Sequence, residues 1–383
     1  MTENLNRRTF VKSCSIAAAA TMLQPVDLFA ETKRSNKLPK WCGFNLTDFN
    51  TPNPRPDRRY TKEEHLKWMR DWGFNFVRLP VSYPYYLKFD RSRPILPEEV
   101  YIIDEAAVEK IDNLVYLAQK QGLHVSVNLH RAPGYCINAG FVEPYNLWKD
   151  AEAQKAFYYH WNFWAKRYRN VSSKKISFDL LNEPSMREDM NDQLSRSRAI
   201  PGDLYREVAQ KAAKAIRSEN KNHLVIADGN NIGNDPIPEI ADLNIAQSCR
   251  GYFPHAISHY KAPWANKEPD KLPVPIYPGI TGGRTYNREA VEKYYQPWID
   301  LKNKGVGIHC GECGSWNKTP NDVFHAWFND VLDILSTNKI GFALWEFIGD
   351  FGILNSGRAD VNYEDWNGYK LDRKLLDLLK RYQ

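Results

Sequence analysis

The sequence predicts a (β/α)8 TIM barrel folded as a single domain over residues 31–383, and three observations predict it. Eight short apolar, β-prone runs alternate with helical patterns from Trp41 onward. Repeated β–α units imply parallel strands joined by right-handed crossovers, and eight of them close into a barrel. The rival arrangement, an open doubly wound sheet, carries a Gly-rich phosphate loop after an early strand. Neither G-x-G-x-x-G nor a Walker pattern occurs in this chain.

The elements follow in order. Trp41–Leu46 is the first strand, and Lys62–Trp72 the first helix, with Leu66 and Met69 at helical spacing. Phe74–Pro80 is the second strand. A long loop leads to a helix over Ala106–Gln121, where Val108, Ile111 and Val115 form the apolar stripe and Gly122 stops it. Leu123–His130 is the third strand, followed by a helix near Asp150–Tyr168. Ile176–Leu181 is the fourth strand, followed by a helix over Gly202–Asn220. Leu224–Ala227 is the fifth strand, with a short element near Ile237–Leu243, and Ile245–Cys249 is the sixth. After a Pro-rich loop, Pro254–Tyr286, come the helix Glu289–Lys304, the strand Gly307–Cys310, the helix Asp322–Asn338, the strand Gly341–Trp345 and the helix Asp372–Tyr382.

Composition narrows the partners. The formal net charge is +6, with Lys and Arg interspersed among Asp and Glu. No basic stripe with interleaved aromatics exists, so the chain is not read as a nucleic-acid binder. Much of the content of 12 Trp and 21 Tyr reads as core, with Trp148, Trp264 and Trp316 open between core and sugar stacking. Those in loops, Tyr83, Tyr85, Tyr86, Trp148, Trp264 and Trp316, fit a groove that stacks on ring or sugar faces.

The N-terminus reads separately. Asn6–Lys12, "NRRTFVK", is a twin-arginine pattern ahead of a weakly apolar stretch that ends in Ala30. Residues 1–30 are therefore expected to be a twin-arginine-type signal peptide, and the product to be secreted or periplasmic. No long apolar run elsewhere predicts a membrane span. Cleavage would leave five of the six cysteines, an odd number, so at least one thiol is unpaired. Cys310 and Cys313 form a Cys-x-x-Cys without a second pair, so no metal site and no cofactor is expected. The chain is expected to act as a monomer.

In a barrel the C-terminal ends of the strands form the active face. Polar residues gather there: Arg78 on strand two, Asn128 and His130 on three, Asn182 and Glu183 on four, Arg250 and Tyr252 on six, Glu312 on seven, Trp345 on eight. A charged residue ending an apolar strand faces costly desolvation unless it opens into a cleft or finds a partner. Glu183 and Glu312 fall on opposite sides of one mouth, and carboxyls paired across a cleft are the machinery that cuts a glycosidic bond. Arg78 favours the ionised state of a neighbouring carboxyl. Glu346 follows Trp345 directly, and strand alternation turns it away from the cleft if Trp345 faces in.

The elements "FNFVRLPVSY", "VSVNLHRAPG", "DLLNEPS", "IHCGECGSW" and "FALWEF" resemble, in order and spacing, those of glycoside hydrolase family 5, within the clan of (β/α)8 retaining glycosidases. The resemblance covers most of Trp41–Tyr382. It implies Glu183 as acid/base, Glu312 as nucleophile and Asn182 as donor to the sugar 2-hydroxyl. It implies that Arg78 and Tyr252 hold the nucleophile, that His130 contacts sugar or the acid/base network, and that Trp345 floors the sugar. A polysaccharide or oligosaccharide substrate follows, most simply a β-1,4-glucan cut by cellulase-like endo action. β-Mannan, β-1,3-glucan and exo-β-glucosidase action remain open, as does a catalytically impaired carbohydrate-binding barrel. That last reading is motivated by a departure: the family carries His-x-Tyr on strand six, and Arg250 stands here in the histidine's place, with His255 as an alternative imidazole. Cys313 stands where an aromatic commonly follows the nucleophile.

Overall fold

The computed structural model describes residues 38–55 and 60–383, and the predicted signal segment lies outside them. Eight parallel strands close a barrel in sequence order. They are β1 (Cys42–Asn45), β2 (Phe76–Ser82), β3 (His124–Arg131), β4 (Ile176–Asp179), β5 (Leu224–Asp228), β6 (Ala246–Gly251), β7 (Ile308–Cys313) and β8 (Gly341–Leu344). Closure is direct: Gly43 of β1 pairs with Phe76 on one side and Ala343 on the other.

All eight predicted runs are strands, and the seven predicted helices are present. These are α1 (Glu63–Asp71), α2 (Glu105–Lys120), α3 (Ala151–Arg167), α4 (Gly202–Glu219), α5 (Arg288–Asn303), α6 (Asn321–Thr337) and α7 (Arg373–Arg381). Between β5 and β6 the chain makes only short turns, including Pro238–Ile240. Three two-stranded ribbons decorate the loops, and the long loop before α5 holds one of them, Gly279–Thr281 with Arg284–Tyr286.

The barrel interior changes character along its axis. At the N-terminal end Trp41, Phe76, Ile226, Ala246 and Ala343 form their own apolar cluster, with Trp41 stacked on His124 at 3.9 Å. Towards the C-terminal end the lumen holds Arg78, Asp179, Asp228 and Arg250 instead, none more than 2% exposed. Such buried charges persist only where each finds a partner, so this half of the barrel is built for chemistry rather than for packing alone.

Several loop aromatics expected to line a groove are core residues. Tyr83, Tyr85, Tyr86 and Trp148 are all buried. The Tyr86 hydroxyl hydrogen-bonds His160 Nδ1 at 3.0 Å and accepts from the Trp164 indole N–H at 3.1 Å. A Tyr-rich loop reads as groove from sequence, but here it folds inward as the lid on α2 and α3. Trp264 and Trp316 stay half-buried and pack edge-on at 4.5 Å.

The five cysteines after residue 30 are all unpaired and buried. Among the described residues no group of three or more His, Cys, Asp or Glu is arranged to hold a metal ion. Likewise, no described helix is long and apolar enough to cross a membrane.

Candidate active site

Glu312 reaches the lumen through a break in strand register. Cys310 pairs with Cys249, yet Glu312 pairs with Arg250, so Gly311 is an extra residue on β7. In a regular strand Glu312 would share the face of Cys310, which packs in the hydrophobic core. The bulge turns it to the face of Arg250. A side chain at the bulge would displace a neighbour: a Cβ on Gly311 would lie 2.4 Å from Ser248 Oγ.

Arg78 is the hub beneath. Its Nη1 donates to Glu312 Oε1 at 2.5 Å, its Nε to Asp179 Oδ2 at 2.7 Å and its Nη2 to Asn182 Oδ1 at 2.9 Å. Asn45 of β1 ties the hub to the bulge, accepting from Arg78 Nη1 at 3.2 Å and donating to the Gly311 carbonyl at 2.9 Å. Tyr252, one residue past β6, donates its hydroxyl to Glu312 Oε2 at 3.1 Å. Both oxygens of Glu312 thus receive donors. Arg78 lies within β2 rather than at its end, so its side chain points into the barrel under the carboxyls and not into open cleft.

Glu183 stands four residues beyond Asp179, the last paired residue of β4, in the left-handed region at φ 48°. Its backbone N–H donates to Asp228 Oδ2 at 3.0 Å, and its carbonyl accepts from the Tyr135 hydroxyl at 2.5 Å. Its carboxyl accepts from Arg250 Nε at 3.0 Å. Burial, and then the like charge of Glu312, push its carboxyl up to about 7 against the pull of Arg250.

Arg250, the residue read in place of a histidine, is buried in the lumen beneath Glu183. Besides Glu183 it donates to Asn182 Oδ1 at 2.9 Å, to Asp228 Oδ1 at 3.1 Å and to Ser248 Oγ at 3.2 Å, and it makes a second, short bond to Asp228 Oδ2. The site is not short of an imidazole at His255: that ring packs on His259 at 5.0 Å in the following loop. The same loop braces Tyr252, whose carbonyl accepts from Ser258 Oγ at 2.5 Å.

Asn182 is oriented by these contacts. Two guanidiniums occupy its oxygen, which leaves Nδ2 as the group that faces outward, 3.5 Å from Glu183 Oε2. His130 and Trp345 meet as parallel rings, 5.4 Å apart at 15°. β8 ends at Leu344, before Trp345. Strand alternation therefore does not extend to Glu346, which instead accepts from Thr47 Oγ1 at 2.6 Å. A cleft of about 540 Å³ opens beside β1 and β8, with Asn45, Thr47, Asp48, Thr61, Asn355 and Lys370 among its lining.

All eight predicted site residues occupy this end of the barrel. Three others were not predicted: Asn45, Asp179 and Asp228. Asp179 and Asp228 are the last residues of β4 and β5, and an acid ending an apolar run was the available signal.

The sequence profile described as Cellulase (glycosyl hydrolase family 5) matches residues 37–350. The chain belongs to glycosyl hydrolase family 5. It is a glycoside hydrolase, and retention through a double displacement is the mechanism of that family. Endoglucanase C of Acetivibrio thermocellus is 26% identical over 330 residues, which span 80% of this chain and 89% of the relative. Cellodextrinase A of Ruminococcus flavefaciens is 26% identical over 288 residues, 73% of this chain and 76% of the relative. A solved glycoside hydrolase superposes with a TM-score of 0.80 at 37% identity, covering 90% of this chain and 99% of that one. Endoglucanase Cel5A of Thermotoga maritima, at 21% identity, shares the fold with a TM-score of 0.66, over 88% of this chain and 96% of its own.

Proposed function

We propose that this family 5 hydrolase is an endo-acting β-1,4-glucanase in which Glu312 attacks the anomeric carbon and Glu183 is the acid/base. The observation that carries the assignment is the contrast between the two carboxyls. Glu312 has a guanidinium on one oxygen and a phenol on the other, contacts that suit an anion. Glu183 is pushed up to about 7, which keeps a proton available at neutral pH. In the first step Glu183 protonates the departing oxygen while Glu312 forms the glycosyl ester. In the second, Glu183 takes a proton from water, which cleaves that ester. Asn182, its oxygen held by two guanidiniums and its Nδ2 donating to Glu183 Oε2 at 3.5 Å, presents that amide to the sugar 2-hydroxyl, and Trp345, braced by His130, offers the floor.

The substrate and mode rest on the relatives, among them proteins named endoglucanase from Acetivibrio thermocellus, Paenibacillus polymyxa and Ruminococcus albus. The test is a product profile on soluble β-1,4-glucan, mixed-linkage β-glucan, mannan and xylan. Endo action on glucan gives a rapid fall in viscosity and a ladder of oligosaccharides. A single small product from chain ends, or turnover of mannan alone, overturns the reading. Glu312→Ala abolishes turnover in either case.

Export through residues 1–30 is part of the same proposal, supported by the "NRRTFVK" pattern. Fusing that segment to a folded reporter tests it: replacing Arg7 and Arg8 with Lys should retain the reporter in the cytoplasm.

A further inference from the structure

We propose that Asp228 and Arg250 form one charge-balanced positioning unit for Glu183, so that the arginine on strand six acts with its own counter-charge rather than as a lone cation. The inference rests on Glu183 being the acid/base.

The geometry points there from several sides. Arg250 is 1% exposed and Asp228 is fully buried. Both Asp228 oxygens accept from Arg250, and Oδ2 also receives the backbone N–H of Glu183. The pair therefore holds Glu183 at two points, its backbone through Asp228 and its carboxyl through Arg250 Nε at 3.0 Å. The surrounding chain makes room for the larger side chain. Gly233, in the turn after β5 at φ 75°, lies over it, and a Cβ there would sit 2.6 Å from Arg250 Cγ.

A lone guanidinium this close would draw the Glu183 proton away. Asp228 opposes that pull, and Arg250 and Arg78 hold Asp228 below the usual carboxylate range although burial works against its ionisation. The other charged or titratable groups around Glu183 are Glu312 from β7, Arg78 from β2, Asp179 from β4 and Tyr252 after β6, with the Tyr135 hydroxyl on its carbonyl. None of these pairs with both oxygens of Asp228.

The test is a double-mutant cycle read on the pH dependence of kcat/KM with p-nitrophenyl β-cellobioside. Asp228→Asn leaves the cation uncompensated, and the alkaline limb should move down by about 1 pH unit. Arg250→Gln should move it up. The double variant should fall between them, and its loss of kcat/KM should be far smaller than the product of the two single losses. Unmoved limbs in both folded single variants, or losses that multiply, overturn the unit. Where a single variant does not fold, the double variant decides: it should fold, and one no better than the single overturns the proposal. The acid/base assignment is checked separately by azide rescue of Glu183→Ala on an activated aryl glycoside. Rescue with a failed cycle condemns the unit alone, whereas no rescue condemns the assignment.

Discussion

Arg78 binds Glu312 and Asp179 with two different nitrogens, at 2.5 and 2.7 Å, so one buried cation joins strands two, four and seven. Its removal takes the guanidinium from buried Asp179 and one of the donors from Glu312. Arg78→Met should lower kcat/KM at least about 1,000-fold, and should destabilise the fold by about 3–5 kcal/mol. Arg78→Lys should recover little, because an ammonium cannot reproduce the fork that serves Glu312, Asp179 and Asn182 together. Denaturant unfolding and initial rates on one aryl glycoside check both halves.

With Glu183 as the proposed acid/base, its protonation should set the alkaline side of the activity profile. Because its carboxyl is pushed up to about 7, kcat/KM should be maintained below that pH and decline as pH rises through it. The same shift has a stability sign. The folded state keeps a proton that the unfolded chain loses near the ordinary carboxylate range, so this group makes stability fall as pH rises from there to about 7. Glu183→Gln should remove that slope. Thermal unfolding of both proteins at pH 5 and pH 8 reads it, and an unchanged difference between the two pH values would refute it.

Tyr252 donates to Glu312 at 3.1 Å and is 5% exposed. Tyr252→Phe deletes only the hydroxyl. A hydrogen bond to a charged acceptor contributes about 1.5–3 kcal/mol, so kcat/KM should fall about 10- to 100-fold. Far-ultraviolet circular dichroism and melting temperature should stay close to the parent.

Gly311→Ala tests the register break. The new methyl meets Ser248 Oγ, and overpacking of this kind costs about 1–3 kcal/mol. Activity should fall more than stability, because the displaced segment carries Glu312, the proposed nucleophile. Adding Ser248→Ala should return part of both, and a second variant no better than the first would show that the clash lies elsewhere.

Much of this molecule is legible in its sequence. The apolar runs are short, bounded and separated by strong helical periods, which is why all eight strands and seven helices are found within a few residues. Glu183 and Glu312 are visible because they interrupt such runs. Asp179 and Asp228 also end runs, but an acid at a strand end reads equally as a solvated cap. What distinguishes them is the pairing with Arg78 and Arg250, which exists only after closure. The bulge is hidden for a similar reason: counting two residues against one needs the neighbouring strand. Tyr83, Tyr85 and Tyr86 misled because aromatic loop residues look alike whether they face sugar or core.

The extra glycine on β7 makes strand length itself a chemical variable. Drawing Gly311 into the ladder opposite Arg250 would leave the polypeptide unchanged and the neighbouring ladders available, yet parity would reverse for everything after it. Glu312 would turn out to the helical shell and Cys313 would turn in to the sugar. Which side chain the lumen receives is thus specified by a residue count as much as by a residue type, and a variant shortened by Gly311 would be expected to keep Glu312 opposite Arg250.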